Sequence, residues 1–330
     1  MNKTSIEWTD ATWNPIRGCS RVSEGCRNCY AERVARRFGG KGQPYEGLVR
    51  INNSGERMPQ WNGEVRLIEE HLLDPLKWKK SRRIFVNSMS DLFHENMPDE
   101  WIDRIFAVMA LCPQHTFQVL TKRPERMLKY FYLSTDNREE AIGSQALDIS
   151  AGKHSGILEL PLPNVWPGVS VENQKTADER IPLLLQTPAA VWFISAEPLL
   201  EMIDIYQYLG GARNPIRGLN WVIVGGESGP KARPMHPDWV RSLRDQCQAA
   251  GVSFFFKQWG EWEPRLWMNQ HGAPCLKISV PNQTHFKPRD KEIIFTCTDD
   301  SSINMVRVGK KAAGAMLDGR EWREFPEVRA

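Results

Sequence analysis

No apolar run of the roughly eighteen residues that a membrane span needs occurs in the 330-residue chain, so no membrane association is expected. The opening stretch from Met1 to Asp10 holds no apolar core of the kind a secretory signal carries, which points to the cytoplasm. Charge of one sign is also scarce: the net charge is +3, too small by itself to imply nucleic acid. Cysteine is sparse and unevenly used. There are seven, an odd number, and Cys112, Cys247, Cys275 and Cys297 stand alone. A secreted disulfide framework is denser, so the expectation is a reducing compartment, with a metal or redox role for the other three.

Tryptophan is plentiful by contrast, with thirteen residues, several beside the ends of apolar runs. They serve either the core or a stacking surface. Two basic stretches, Arg33 to Arg37 and Lys79 to Arg83, are either solvated helix faces or contacts for phosphates.

Six short apolar runs recur: 84–86, 116–120, 165–169, 191–194, 221–224 and 253–256. They are rich in β-branched and aromatic residues, as buried strands are. Their starts lie 32, 49, 26, 30 and 32 residues apart, and a strand–helix–strand unit needs about thirty. Helices are expected over 99–111, 173–185 and 237–250, the last stopped by Gly251. A further strand near 11–16 leads into the clustered cysteines. Seven such units predict an α/β protein built on a (β/α) barrel, complete or partial, with a doubly wound open sheet as the alternative. The polar segment 134–163 is expected to be an insertion or mobile loop within a first domain of residues 1–262. Short alternating runs such as 277–280 and 292–296 then predict a small α+β cap over 263–330, with a short helix near 309–317.

Each strand is followed by polar residues: Asn87 to Asp91, Thr121 to Arg123, Ser170 to Asn173, Ser195 to Glu197, Gly225 to Ser228, and Lys257 to Glu261. A single such residue is usually a helix cap, but six in succession suggest a ligand-binding edge, since ligands bind at the carboxyl ends of parallel strands. Lys122 and Arg123 are candidates for a carboxylate or phosphate, or are a surface pair. Glu172, Glu197 and Glu227 are candidates for an amino group or ribose hydroxyls, or pair with arginines. The Gly225 to Pro230 turn resembles a backbone cradle for an anion. Asp91 and His94, three residues apart, could share a proton. With Glu227 they are the candidate catalytic residues.

The densest signal lies between Gly18 and Glu32. Cys19, Cys26 and Cys29 are separated by gaps of six and two residues, and Gly25 frees the backbone to curl. A structural zinc wants a fourth ligand, and His71 and His94 come without a paired partner. Cys112 is expected to be helical and remote. Three cysteines with one open position suit a [4Fe-4S] cluster. Zinc, and thiols without metal, are the alternatives.

The stretch from Asn14 to Cys19 and from Gly25 to Glu32 resembles the cysteine loop of radical S-adenosylmethionine enzymes, especially the spore photoproduct lyase-like branch. A closer resemblance is to a phage-associated three-Cys-motif family related to that superfamily. It rests on the blocks 85–94, 120–126, 169–173, 194–198, 224–229 and 256–260, and covers about Ser5 to Trp262. Two features depart from the superfamily pattern: the first gap holds six residues instead of three, and Asn28 stands where an aromatic residue is usual.

The resemblance implies that Cys19, Cys26 and Cys29 ligate a [4Fe-4S] cluster whose fourth iron binds S-adenosyl-L-methionine, giving a 5′-deoxyadenosyl radical. It implies a cofactor shell of Tyr30, Ser88, Lys122, Ser170, Glu172, Asn173, Ser195 and Glu197, with Lys122 foremost. It also implies an electron donor such as flavodoxin or ferredoxin, and a nucleic acid or modified nucleobase as substrate, in repair or modification. A zinc-binding nucleic-acid module and a non-catalytic subunit of a protein partner are the alternative readings.

Overall fold

A computed structural model describes residues 4–51, 58–132, 137–155, 157–210, 218–267, 278–279, 291–297 and 302–327. Its centre is a curled, parallel, seven-stranded half-barrel sheet of Ala11–Trp13, Arg83–Val86, Thr116–Thr121, Val165–Ser170, Phe193–Ala196, Trp221–Gly225 and Ser253–Gln258. The strands lie side by side in chain order. A doubly wound sheet would reverse that order at a switch point, so the arrangement is compatible with a partial barrel.

All seven expected strands form. The fifth starts at Phe193 rather than Val191 because Trp192 Nε1 donates to Thr187 O at 2.8 Å, tying the preceding residues to the helix end. The expected helices appear as Asp99–Ala110, Gln174–Gln186 and Pro237–Ala250. Cys112 is not helical; it sits two residues past the end of Asp99–Ala110, buried in the turn before the next strand.

The chain divides into two compact units, the first of Met1–Ser170, Glu179–Ile194 and Glu327–Ala330, the second of Val171–Asp178 and Ser195–Pro326. In the first, Trp8 packs its ring 4.7 Å from that of Phe85 and 6.4 Å from that of Phe193. The polar segment expected as an insertion or mobile loop holds the helix Arg138–Ile149, capped by Asn137 Oδ1 accepting from Glu139 N, so its helical part is not a loop. An ion pair docks it. Arg138 is buried, donates to both Asp103 oxygens at 3.2 Å and to Asp99 at 2.6 Å, and lies over the Tyr130 ring. Its apolar face is small, Ile142 and Ala146 being fully buried, so the apolar pattern is weak and the ion pair completes the docking.

In the second unit, Pro237–Ala250 buries Trp239, Val240, Leu243 and Cys247 and ends at Gly251 in the left-handed conformation. Beyond it, Trp262–Trp267, Ser302–Arg307, Glu292–Cys297 and Ile278–Ser279 form an antiparallel sheet in that spatial order. A short helix, Lys310–Ala313, and the hairpin Met316–Leu317/Arg320–Glu321 follow. Lys277, Val280 and Cys275 lie outside the described residues. No helix among the described residues is long and apolar enough to cross a membrane.

Candidate functional site

The cysteine loop is built into the first unit by short-range constraints. Asn14 Oδ1 accepts from Ser88 Oγ and from Met89 N, both at 3.1 Å, and so binds the ends of the first two strands together. Gly18 then turns at φ +98°, where a Cβ would lie 2.0 Å from Glu64 O; only glycine fits before Cys19. Cys26 ends the single turn Glu24–Cys26, and Cys29 donates its N–H back to Cys26 O at 3.3 Å before opening the helix Tyr30–Arg37.

The six-residue gap is a stapled arm rather than a slack loop. Arg21 donates through Nε and Nη2 to the two oxygens of Glu32 at 2.9 and 2.6 Å. Glu32 is buried and also accepts from Trp61 N. A planar guanidinium gripping a carboxylate at two points fixes orientation as well as distance. Cys19 and Cys29 rest against one apolar cluster, Ala31, Ala35, Leu48, Trp61 and Met89.

Arg123 links the loop to the third strand. It is buried, and every nitrogen of its guanidinium is engaged: Nε donates to Glu95 Oε2 at 2.7 Å and Nη1 to Asp91 Oδ2 at 3.1 Å. Nη2 donates to Ser20 O at 3.0 Å and to Ser20 Oγ at 2.7 Å. Nη1 also approaches Cys19 Sγ, at 3.9 Å. Asp91 is buried as well and accepts from Thr121 Oγ1, Lys122 N and Phe93 N.

His94 does not share a proton with Asp91. Its Nδ1 accepts from Asn96 N at 3.1 Å, so in the neutral ring Nε2 carries the hydrogen and donates to Ser20 Oγ at 3.0 Å. Ser20 Oγ in turn donates to Glu95 Oε1 at 2.8 Å. Burial lowers the His94 pKa, and the neighbouring Arg123 lowers it further, which favours that neutral ring.

Burial pushes the Cys19 thiol up to about 12, with Asp91 raising it further and Arg123 pulling it down. Cys29 is raised by burial too. At neutral pH both are thiols, so loading a metal displaces protons. Among the described residues no three His, Cys, Asp or Glu side chains converge as ligands of one ion do. The donors themselves are soft thiols on one short loop, the chemistry that Fe–S clusters and zinc both take. Both His94 ring nitrogens are engaged within the chain, whereas His71 hydrogen-bonds only through Nδ1 among the described residues, with Asp74 Oδ2 at 3.0 Å. By donor type the three cysteines suit a cluster or zinc alike, although their side chains do not converge on one ion among the described residues.

Of the other expected site residues in this unit, Tyr30 is half exposed and donates its hydroxyl to Ser88 O at 2.7 Å. Lys122 is half-buried, and its ammonium makes no hydrogen bond or ion pair among the described residues. Ser170 is buried at the end of its strand, where its carbonyl accepts from Arg180 Nη1.

The second unit gathers Glu172, Asn173, Ser195, Glu197 and Glu227. Asn173 Oδ1 accepts from Thr176 N at 2.9 Å, a helix cap for Gln174–Gln186. Glu172 is fully buried, and its carbonyl accepts from Leu200 N. Ser195 is buried and its carbonyl accepts from Val171 N. Glu197 takes Lys257 Nζ at 2.7 and 3.0 Å. Glu227 takes Arg233 through Nε at 3.0 Å and Nη2 at 2.7 Å. The glycine turn is pressed onto the next strand's end, since a Cβ on Gly226 would lie 2.0 Å from Trp259 O. Its expected anion cradle is filled from within: Gly229 N donates to Glu261 Oε1 at 2.9 Å.

A family model matches residues 3–326, nearly the whole chain. The chain belongs to the DUF5131 family, described as a protein of unknown function. No curated protein and no solved structure matches it.

In this DUF5131 chain the residue pattern underrates Arg123 and passes over Ser20, Arg21, Glu32 and Glu95. Glu32 and Arg123 do carry a signal: each adjoins a motif residue, Tyr30-Ala31 and Lys122, yet is charged and buried. Ser20 and Glu95 carry none, because their partnership spans 75 residues.

Proposed function

We propose that this DUF5131 protein is a radical S-adenosyl-L-methionine enzyme on a half-barrel of that type. Cys19, Cys26 and Cys29 would each hold one iron of a [4Fe-4S] cluster, leaving the fourth iron to the methionine end of the nucleoside. When bound, the pair supplies one-electron cleavage of a sulfonium, with the electron drawn from a donor such as flavodoxin or ferredoxin.

The observation that carries this reading is the buried Arg123, wired at once to Asp91, Glu95, Ser20 and the edge of Cys19. A guanidinium placed there fixes the loop and offsets the charge of thiolates. The Lys122 ammonium, one residue away and without a carboxylate partner among the described residues, is suited to meet a substrate carboxylate. His94 and Asp91 position the loop through Ser20 and Arg123 rather than moving protons. Asn173 and Glu227 hold backbone turns after their strands, and Ser88 holds Asn14. A nucleic acid or modified nucleobase is the proposed substrate class, by the resemblance of the cysteine loop.

The test is anaerobic reconstitution with iron and sulfide, followed by visible absorption, low-temperature electron paramagnetic resonance and assay for 5′-deoxyadenosine after reduction. A brown protein with about four irons per chain, and nucleoside release, is expected. A colourless protein that retains zinc would overturn the reading.

A further inference from the structure

The helix Tyr30–Arg37 buries Ala31, Glu32 and Ala35 and turns its other side outward. Tyr30, Arg33 and Arg37 follow at the i, i+3, i+7 spacing of one helix face, with Arg36 beside them. Arg36 and Arg37 are exposed and have no carboxylate partner among the described residues. Lys41 and Arg50, further along the chain, are exposed as well. From Arg27 to Arg50 there are six basic residues and two acidic ones, whereas the whole chain nets only +3. The stretch therefore nets +4. Glu32 is turned inward to Arg21, while Glu46 is exposed and accepts from Gly42 N at 2.6 Å.

Two aromatic rings lie among these cations. Tyr30 is 47% exposed and Phe38 41% exposed, and the Arg37 guanidinium stands 5.3 Å over the Phe38 ring. Aromatic rings set among cations offer faces on which bases can stack. A membrane-lying helix would set Leu, Trp or Phe along a whole face against the cations, whereas here the rings alternate with them.

We propose that this face binds a single-stranded nucleic acid, with Arg33, Arg36 and Arg37 meeting phosphates and Tyr30 and Phe38 offering stacking surfaces to bases. This combination of a cationic track and interleaved rings is how strands are held without sequence preference. The inference deepens the proposed function by naming the substrate-binding surface. It needs no metal, so it can fail or succeed separately.

The experiment is fluorescence anisotropy of the full chain, without metal, against a labelled mixed-sequence single strand of about 20 nucleotides, its duplex, and vesicles of phosphatidylcholine with phosphatidylserine, over a salt series. The single strand is expected to bind tightest. Arg36→Glu/Arg37→Glu should weaken it roughly tenfold or more at low salt, and flatten the log–log salt slope by about 1.4. The Arg36→Lys/Arg37→Lys protein should restore most of the affinity. Lys79→Glu/Lys80→Glu, at the exposed basic stretch elsewhere, should change it less than about twofold, and Cys247→Ser, buried in the second unit, should bind like the parent. Unchanged binding by the Arg36→Glu/Arg37→Glu protein, equal loss from the Lys79→Glu/Lys80→Glu protein, or tighter binding to vesicles than to the strand would each overturn the proposal. If the surface binds but no cluster reconstitutes, the surface stands and the radical reading falls.

Discussion

The two units use acidic residues in opposite ways. In the second, Glu197 closes on Lys257, Glu227 on Arg233, and Glu261 on the Gly229 N–H. Each carboxylate satisfies a neighbour, and for Glu197 and Glu227 the charges cancel in place. In the first, Asp91 and Glu95 share Arg123, whose remaining donors are spent on the residues Cys19 and Ser20. A buried ion pair is costly to desolvate and contributes little net stability by itself. One that also grips a loop of three thiols is explained by the loop. Polar residues after a strand are therefore not equivalent, and what separates them is whether their partners lead to a group with unspent ligand capacity.

The sharpest way to break this comparison is through the thiols. Replacing Cys19, Cys26 and Cys29 together by serine should reduce bound iron from about four per chain to none, while Cys247→Ser, buried on the helix Pro237–Ala250, should leave iron unchanged. Iron retained by the triple variant would mean that the ligands lie elsewhere.

Next in size are the two arginines. Arg123→Met strands Asp91 in a buried site and should cost about 3–5 kcal/mol in urea unfolding, and Arg233→Met, which strands Glu227, should cost a similar amount. Their effects on metal should diverge. Iron loading should fall sharply in the Arg123 variant and stay at the parent level in the Arg233 variant. Equal loading in both would show that Arg123 is a structural ion pair and no more.

The fold was legible because its signals are local. Six apolar runs, most about thirty residues apart, mark strands and crossovers, while the choice between a barrel and a doubly wound sheet lay in the strand order, which spacing does not carry. Helix Pro237–Ala250 was legible to the residue, from its proline, its apolar face and Gly251. Arg138–Ile149 was not, because its apolar face is small and Arg138 completes its docking on Asp99 and Asp103. The three cysteines were legible as a group because they fall within one loop. The network behind them joins Ser20, Asp91, Glu95 and Arg123 across three separate segments, and no spacing rule reaches that far. The glycine turn carried a true local signal, a backbone shaped for an anion, but its ligand came from Glu261 in the same chain.

A smaller effect sharpens the comparison through pH. Glu95 lacks the two-point staple that Arg21 gives Glu32, and it stands largely in solvent, yet hydrogen bonds hold it ionised. Burial opposes ionisation there, but its own backbone N–H, Ser20 and Arg123 outweigh it and bring the pKa from 4.5 to about 2. A carboxylate whose folded pKa is depressed adds stability above its unfolded value, and loses it as pH falls through the folded one. The contribution of Glu95 is therefore intact above about pH 4.5 and fades toward pH 2. Glu95→Gln removes that dependence, so the parent should lose thermal stability more steeply than the variant between these limits, while the two run parallel near neutral pH. In the second unit Asp318, held low chiefly by its hydrogen bond from Arg241, supplies the matching control. Asp318→Asn should flatten the acid limb in the same way, but only Glu95→Gln should also loosen the Cys19–Ser20 segment, read as faster amide hydrogen exchange there at neutral pH. Equal exchange in both variants would show that Glu95 belongs with the self-contained pairs of the second unit and not with the cysteine loop.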